Sequence, residues 1–545
     1  MTRRSTWQSL SRWFADNVIE LGREMRLSYL PPLMIYLAAG VSELTAIAGT
    51  FFVKEYLGLS AAFLATLAFW AGIPWALKMP LGHLVDLIWR RKAALVWIGA
   101  GLIAASLLIM LGLVSAPRRM RDVMSLEAWF VVATLLAPLG YVLQDVVADA
   151  MTVEAVPRVD ATGQPLPAAT RRLMNTTLQT LGRVAIIAGG VLVSALNVLM
   201  FAGSETLPQT DKAAIYAEVY AMALFVPLLS VAGVVLAALL KRRERQREHR
   251  LGVSAVAREV LSSDGEAVKP NWWILGGSLL FAAISLSAGV SKLRFGEEIV
   301  FMASFAVITF LMHRLLRELD DESRRTLLGT AIVVFAYRAT PGPGAGSTWW
   351  MIDVLGFDQS FLSRLSLLTS FLALCGLFGF RRFMSERSIT YLVGFLTIVG
   401  TLLSLPTLGM YYGLHEWTAA HSGGIVDARF IALVDSALES PLEQIAMVPM
   451  LAWIANSAPN KLKATYFAVM ASFSNLALAA SQLGSQYLNH GFKVAREARD
   501  PLTQAVVSAA DYSQLGLLLL VTMLLGLLLP FAAIWVTRAC KLHSA

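Results

Sequence analysis

Charged side chains are scarce in this chain. Asp, Glu, Lys and Arg make up 15% of its 545 residues, where soluble domains carry about 25%, which excludes an ordinary water-exposed surface. Cysteine is scarcer: Cys375 lies in an apolar stretch and Cys540 near the C-terminus, so a disulfide framework is excluded. The start lacks a short apolar run with a small-residue cleavage site, and no cleaved signal peptide is expected. Residues 7–29 read either as an amphipathic helix on the inner membrane surface or as a solvated lead-in.

Apolar residues are what the chain has in quantity, 57% of the total with a positive mean hydropathy. Runs of about 20 such residues predict an all-α integral membrane protein of about fourteen spans. They lie near 31–54, 59–86, 93–115, 128–155, 173–201, 216–240, 272–290, 296–317, 325–351, 361–380, 388–412, 428–457, 460–487 and 513–540.

The formal charge is +8, but it is not a nucleic-acid footprint. The basic residues sit in short loops and at the ends: Arg3, Arg4, Arg12, Arg23 and Arg26, then Arg90, Arg91 and Lys92, then KRRERQREHR at 241–250, Arg381, Arg382, Arg538 and Lys541. The positive-inside rule places these loops and both termini in the cytoplasm. Arg118, Arg119, Arg121, Lys493, Arg496 and Arg499 dissent and fall on the outer side.

One stretch interrupts the apolar pattern with acids. In YVLQDVVADAMTVE, Asp145 and Asp149 stand four residues apart on one helix face, and a carboxylate in hydrocarbon requires a partner, a proton or water. About 290 residues on, VDSALESPLEQIAMVP repeats the spacing in Asp435 and Glu439, with Glu443 one turn further. The repetition predicts two related halves around one polar site. Glu43 lies at mid-membrane depth in the first span, as a proton or substrate carboxylate or as an acid fixed by a base. Lys78 either snorkels to the surface or, the preferred reading, pairs with Asp145 or Asp149. Arg183, level with Asp145, is a further candidate partner, and Gly182, Gly189 and Gly190 permit close helix approach. Arg338 precedes PGPGAG, which must break its helix, as happens where backbone lines a cavity. Trp349 and Trp350 read as an outer aromatic belt or as a stack for a flat substrate.

At the end of the second span Gly82, Asp86, Arg90, Arg91 and Lys92 follow G-x-x-x-D-x-x-x-R-R-K. This resembles the gating loop between helices two and three of the major facilitator superfamily. Lys78 with Pro80, QDVVADAMTVE, ATPGPG running into WMIDVLGFDQSFL, and DSALESPLEQIAMVP running into KATYFAVMASFSN with Asn475 together resemble the folate-biopterin transporter family of that superfamily. QDVVADAMTVEAVP with LGRVAIIAGG is also similar to the neighbouring muropeptide permeases.

The resemblance implies a major facilitator fold, a twelve-helix core of two six-helix bundles, here with an inserted two-helix hairpin. The expected divisions are a cytoplasmic segment 1–30, a first bundle 31–240, a cytoplasmic linker 241–271, the hairpin 272–317 and a second bundle 318–545. It also implies a proton-coupled symporter moving a folate- or pterin-like solute by alternating access, with no cofactor. The expected setting is a monomer in a bacterial inner (plasma) membrane, meeting a small-molecule substrate, protons and the lipid bilayer but no nucleic acid. Substrate and proton candidates are Glu43, Lys78, Asp145, Asp149, Arg183, Arg338, Asp435, Glu439 and Glu443; no residues are assigned as catalytic or metal-binding. The alternatives are a muropeptide or drug-type permease, a non-transporting assembly factor on the same scaffold, or a magnesium-dependent membrane transferase using the D-x-x-x-D pairs.

Overall fold

A computed structural model of the protein describes Gly22 and residues 25–57, 59–76, 78–156, 166–250, 272–290, 295–317, 320–380, 383, 387–442, 463–496, 498–499 and 506–542. Almost all of this backbone is helical. Ten helical stretches among the described residues are long and apolar enough to cross a bilayer. With no water in hydrocarbon to satisfy the main chain, helices hydrogen-bonded within themselves are the way such a sequence can span.

The first set comprises α1 (Leu30–Val41), continued through a 3₁₀ turn (Ser42–Thr45) into α2 (Ala46–Tyr56), then α3 (Ala61–Ala76), α4 (Lys78–Leu87), α5 (Ala93–Ser115), the short α6 (Pro117–Val123), α7 (Leu126–Ala155), α8 (Ala168–Met200), α9 (Gln209–Ala223) and α10 (Phe225–Arg250). A hairpin of α11 (Trp272–Val290) and α12 (Gly296–Leu316) follows, where two inserted spans were expected. The second set is α13 (Asp321–Arg338), α14 (Ala345–Asp353), α15 (Gln359–Gly379), α16 (Ile389–Tyr411), the short α17 (Leu414–His421), α18 (Ala428–Glu439), α19 (Lys463–Gly491) and α20 (Leu515–Ala539). Between α19 and α20 two short strands, β1 (Ala498–Arg499) and β2 (Val506–Ser508), pair antiparallel, and Ala495 and Asp511 exchange backbone hydrogen bonds beside them. The span expected at 428–457 begins as α18; its continuation, Glu443 included, lies outside the described residues.

Helix starts carry side-chain caps. Ser125, Asp320, Asp358, Ser388 and Asp427 each accept the backbone N–H three residues on, satisfying a donor the helix leaves open. Pro31 and Pro32 sit in the first turn of α1, where a missing N–H costs nothing.

Within the first set α1 packs on α7, α8 and α10, and α5 on α7, α9 and α10; within the second α13 packs on α16, α19 and α20. The sets meet most extensively where α3 packs on α19 and α8 on α15, with α4 also against α19, α2 against α15 and α3 against α14. Each set supplies its second and its fifth span to this seam, the arrangement two related bundles produce. Small residues set the closest approach: a Cβ on Gly40 of α1 would stand 2.0 Å from the Ile186 carbonyl oxygen of α8, and one on Gly189 2.8 Å from that of Leu37. The hairpin lies against the α3–α19 pair: Trp70 Nε1 of α3 donates to Glu297 at 3.1 Å, and Tyr487 of α19 donates to Glu298.

The break predicted after Arg338 is present between α13 and α14, with Gly344 at φ +72°. Its backbone groups are met by one face of α19. Ser481 Oγ donates to Thr340 O at 2.7 Å, Gly342 N–H donates to Ser485 Oγ at 2.9 Å, and Asn489 Nδ2 donates to Pro343 O at 3.3 Å.

Candidate functional site

The polar residues of the spans build a site in two parts. In the first helix set, Lys78 at the start of α4 directs its ammonium between two acids on one face of α7. Nζ lies 2.6 Å from Asp145 Oδ2 and 2.8 Å from Asp149 Oδ2. Tyr36 of α1 donates its hydroxyl to Asp149 Oδ1 at 2.6 Å. Lys78 is therefore an ion-pair partner and not a snorkelling residue. Asp149 is the more accessible acid, its side chain 36% exposed against 21% for Asp145.

Arg183 of α8 was a candidate partner for Asp145. It acts on that carboxylate electrostatically but is not at ion-pair distance; Lys78 takes that place at 2.6 Å. Gly182 leaves room for the Tyr36 ring, 3.0 Å from where a Cβ would stand. Glu43, in the 3₁₀ turn between α1 and α2, is exposed at the α8–α15 contact: a Cβ on Gly190 would lie 3.7 Å from its Oε2 and 3.5 Å from Ser370 Oγ of α15.

The second part comes from the other helix set. Arg338, the last residue of α13, is in electrostatic reach of Arg183, and its buried Nε has no hydrogen-bond partner among the described residues. The neighbouring Tyr337 is in reach of Glu439 on α18. Glu439 is exposed and acts on Asp435 one turn earlier, whose Oδ1 is buried without a hydrogen-bond partner among the described residues. A continuous series of electrostatic neighbours thus runs from Asp145 through Arg183, Arg338 and Tyr337 to Glu439 and Asp435, crossing between the sets. Arg183 and Arg338, from opposite sets, are within electrostatic reach of one another, an arrangement that favours an anion between them.

The gating residues separate into different environments. Gly82 has open space around its Cα, Arg90 and Arg91 are exposed, and Asp86 lies on α4, its side chain outside the described set. Lys92 is only 8% exposed, pairing with Glu154 at 2.5 Å and lying 3.6 Å from the Trp89 ring centroid. Trp349 and Trp350 are 2% and 3% exposed, packed inside the protein instead of facing lipid. Arg496, expected as a loop charge, is buried over Trp349.

Sequence reasoning missed Tyr36, which no charge pattern marks, and Glu154, which shares its segment with Asp145 and Asp149. It also missed the pair of Lys54 on α2 with Asp353 on α14, joining the sets at the end away from the basic loops. Gln144, beside Asp145, accepts from Ser230 at 2.8 Å and donates to Val96 O at 3.4 Å, tying α7 to α10 and α5.

The model of the BT1 family matches residues 39–543. The chain belongs to this family. A curated relative, the folate-biopterin transporter of Synechocystis sp., is 24% identical over 502 residues, covering 91% of this chain and 82% of its own. The putative folate transporter 2 of Plasmodium berghei is 23% identical over 278 residues, 47% of this chain and 57% of that one. Among solved structures, a POT family transporter in complex with a thioalcohol-conjugated peptide superposes with a TM-score of 0.54 at 12% identity, covering 94% of both chains. The fold is that of the major facilitator transporters, and BT1 membership makes this chain an integral membrane transporter and not an enzyme. In the acidic pair on which a magnesium-dependent transferase would rely, Lys78 occupies the space between the carboxylates.

Proposed function

We propose that the chain carries a folate- or pterin-like anion through a bacterial inner membrane by alternating access, coupled to protons, with the basic loops and both termini in the cytoplasm. The observation that carries this reading is the Lys78 cluster with Asp145 and Asp149 in one set, together with Arg338 of the other, whose buried Nε has no hydrogen-bond partner among the described residues and which lies in electrostatic reach of Arg183. A pterin ring offers a 2-amino group beside a ring N–H, a donor pair that one carboxylate accepts side by side; Asp149, Glu43 and Glu439 are accessible acids for it. An anionic tail is suited to Arg183 and Arg338. Asp149 can exchange a proton without breaking the Lys78–Asp145 pair, which makes it the coupling acid. The names of the Synechocystis and Plasmodium relatives agree with the substrate class.

The test is uptake by proteoliposomes holding the purified protein, with folate, pterins, muropeptides and small zwitterions, each with and without an imposed proton gradient. Folate or pterin uptake that collapses with a protonophore is expected. Gradient-independent uptake overturns the coupling, and uptake of muropeptides without pterins overturns the substrate class.

A further inference from the structure

Arg496 is a buried charge to which the carrier reading gives no task. It follows α19 beside the Ala495–Asp511 bridge, is 4% exposed, and its Nε, Nη1 and Nη2 have no hydrogen-bond partner among the described residues. Its guanidinium lies 5.0 Å from the Trp349 ring centroid. A ring face attracts the cation but satisfies none of its five N–H donors. Burial accordingly pushes its pKa down to about 10, against the opposing pull of Tyr512 and Asp353.

Asp353 stands one turn beyond Trp349, at the end of α14. Its carboxylate is occupied by Lys54 of α2, from the other helix set, and by the Tyr512 hydroxyl at 2.5 Å. Two cations therefore compete for one acid. Lys54 holds it across the boundary between the sets, while Arg496, carried with Asp353 on the same set, has no ion-pair partner among the described residues. Val494 packs the Arg496 segment against α14 so closely that a Cβ on Gly346 would meet it at 2.7 Å, so Arg496 and Asp353 stay neighbours whatever the first set does.

The geometry points to a counter-ion exchange: Asp353 is held by Lys54 while the two helix sets meet at this end, and passes to Arg496 when they part. Each arrangement then keeps the acid paired, and Arg496 stabilises the open one. This inference rests on the alternating-access reading.

The experiment uses the full-length protein with Cys375→Ser and Cys540→Ser, spin-labelled at Thr206→Cys and Ala420→Cys, both exposed at this end of opposite sets. Electron paramagnetic resonance distances report closed and open populations in lipid nanodiscs. Arg496→Gln is expected to lower the open-to-closed ratio about tenfold and Lys54→Gln to raise it by a similar factor, whereas Arg496→Lys, which keeps the charge, stays within about threefold of the parent. In an Asp353→Asn background, Arg496→Gln is expected to change the ratio less than about twofold. Arg496→Met fills the stacked position if the glutamine variant does not fold, as checked by thermal midpoint and size-exclusion profile. An unchanged ratio in Arg496→Gln, or an equal shift in the Asp353→Asn background, overturns the exchange. A single distance in every variant overturns alternating access itself.

Discussion

Lys78 and Asp145 meet at 2.6 Å from the start of α4 and the face of α7, with Asp149 sharing the same ammonium at 2.8 Å. Removing the cation strands two acids in hydrocarbon, and breaking such a buried pair costs about 3–5 kcal/mol. Lys78→Met is therefore expected to lower the thermal midpoint in detergent strongly, and adding Asp145→Asn to recover at least about half of the loss, since one compensating group has been removed with the other.

Asp149→Asn leaves the Lys78–Asp145 pair in place. The variant is expected to reach the membrane in normal amount with a thermal midpoint lowered far less than by Lys78→Met, since Lys78 keeps Asp145, yet to lose proton-driven uptake. Tyr36→Phe removes the donor to Asp149, for which about 1.5–3 kcal/mol is typical of a hydrogen bond to a charged group. Proton-driven uptake by Asp149→Asn at the wild-type rate removes Asp149 from the coupling step; misfolding assigns it a structural role.

Arg183 and Arg338 come from opposite helix sets and repel one another unless an anion lies between them. Replacing either with Gln is expected to weaken binding of a carboxylate-bearing folate by about ten- to a hundredfold, the range of one charge-assisted contact. Binding of an uncharged pterin should stay within about twofold, since no ionic contact is lost. Thermal-shift titration with both ligands measures the difference; equal losses show that the arginines hold the fold and not the tail.

Gly40 offers a purely steric test. A side chain there drives α1 from α8, since even a Cβ would stand 2.0 Å from the Ile186 oxygen. Gly40→Val is expected to destabilise by at least about 2 kcal/mol, as overpacking does, and Gly72→Val, on a glycine with open space around it, to change the thermal midpoint far less.

Asp511 carries the pH dependence of the small sheet region. The Ser513 hydroxyl, together with the Ser513 N–H that donates to the Asp511 carboxylate at 3.0 Å, holds its proton affinity below the usual carboxylate range. The folded value lies below the unfolded one, so its contribution is present above about pH 4 and is lost as pH falls through the folded value. Protection of the Ala495 amide against hydrogen exchange is expected to drop in that window, and Asp511→Asn to flatten the drop.

The membrane-spanning character of the chain, ten of whose described helices are long and apolar enough to cross where about fourteen spans were expected, and the helix break after Arg338 were legible because apolar length and the Pro–Gly cluster are local signals. The Lys78 pairing was legible for a different reason: a cation and two acids at similar depth have few alternatives in hydrocarbon. Arg183 shows the limit of that argument. Depth alone puts it level with Asp145, but depth does not fix which way a helix faces, and Lys78 holds the ion-pair position. Tyr36 and Asp353 were hidden because their roles come from helices brought together by packing, and Arg496 because a basic loop residue reads as solvated whether or not a hairpin folds it inward.

The unwound backbone between α13 and α14 rests on the Ser481, Ser485 and Asn489 side chains of α19. Sliding α19 by a single residue, about 1.5 Å, would detach all three supports in a medium that offers no substitute. Those segments must travel as one rigid body, so whatever play the second bundle has is confined to its other joints.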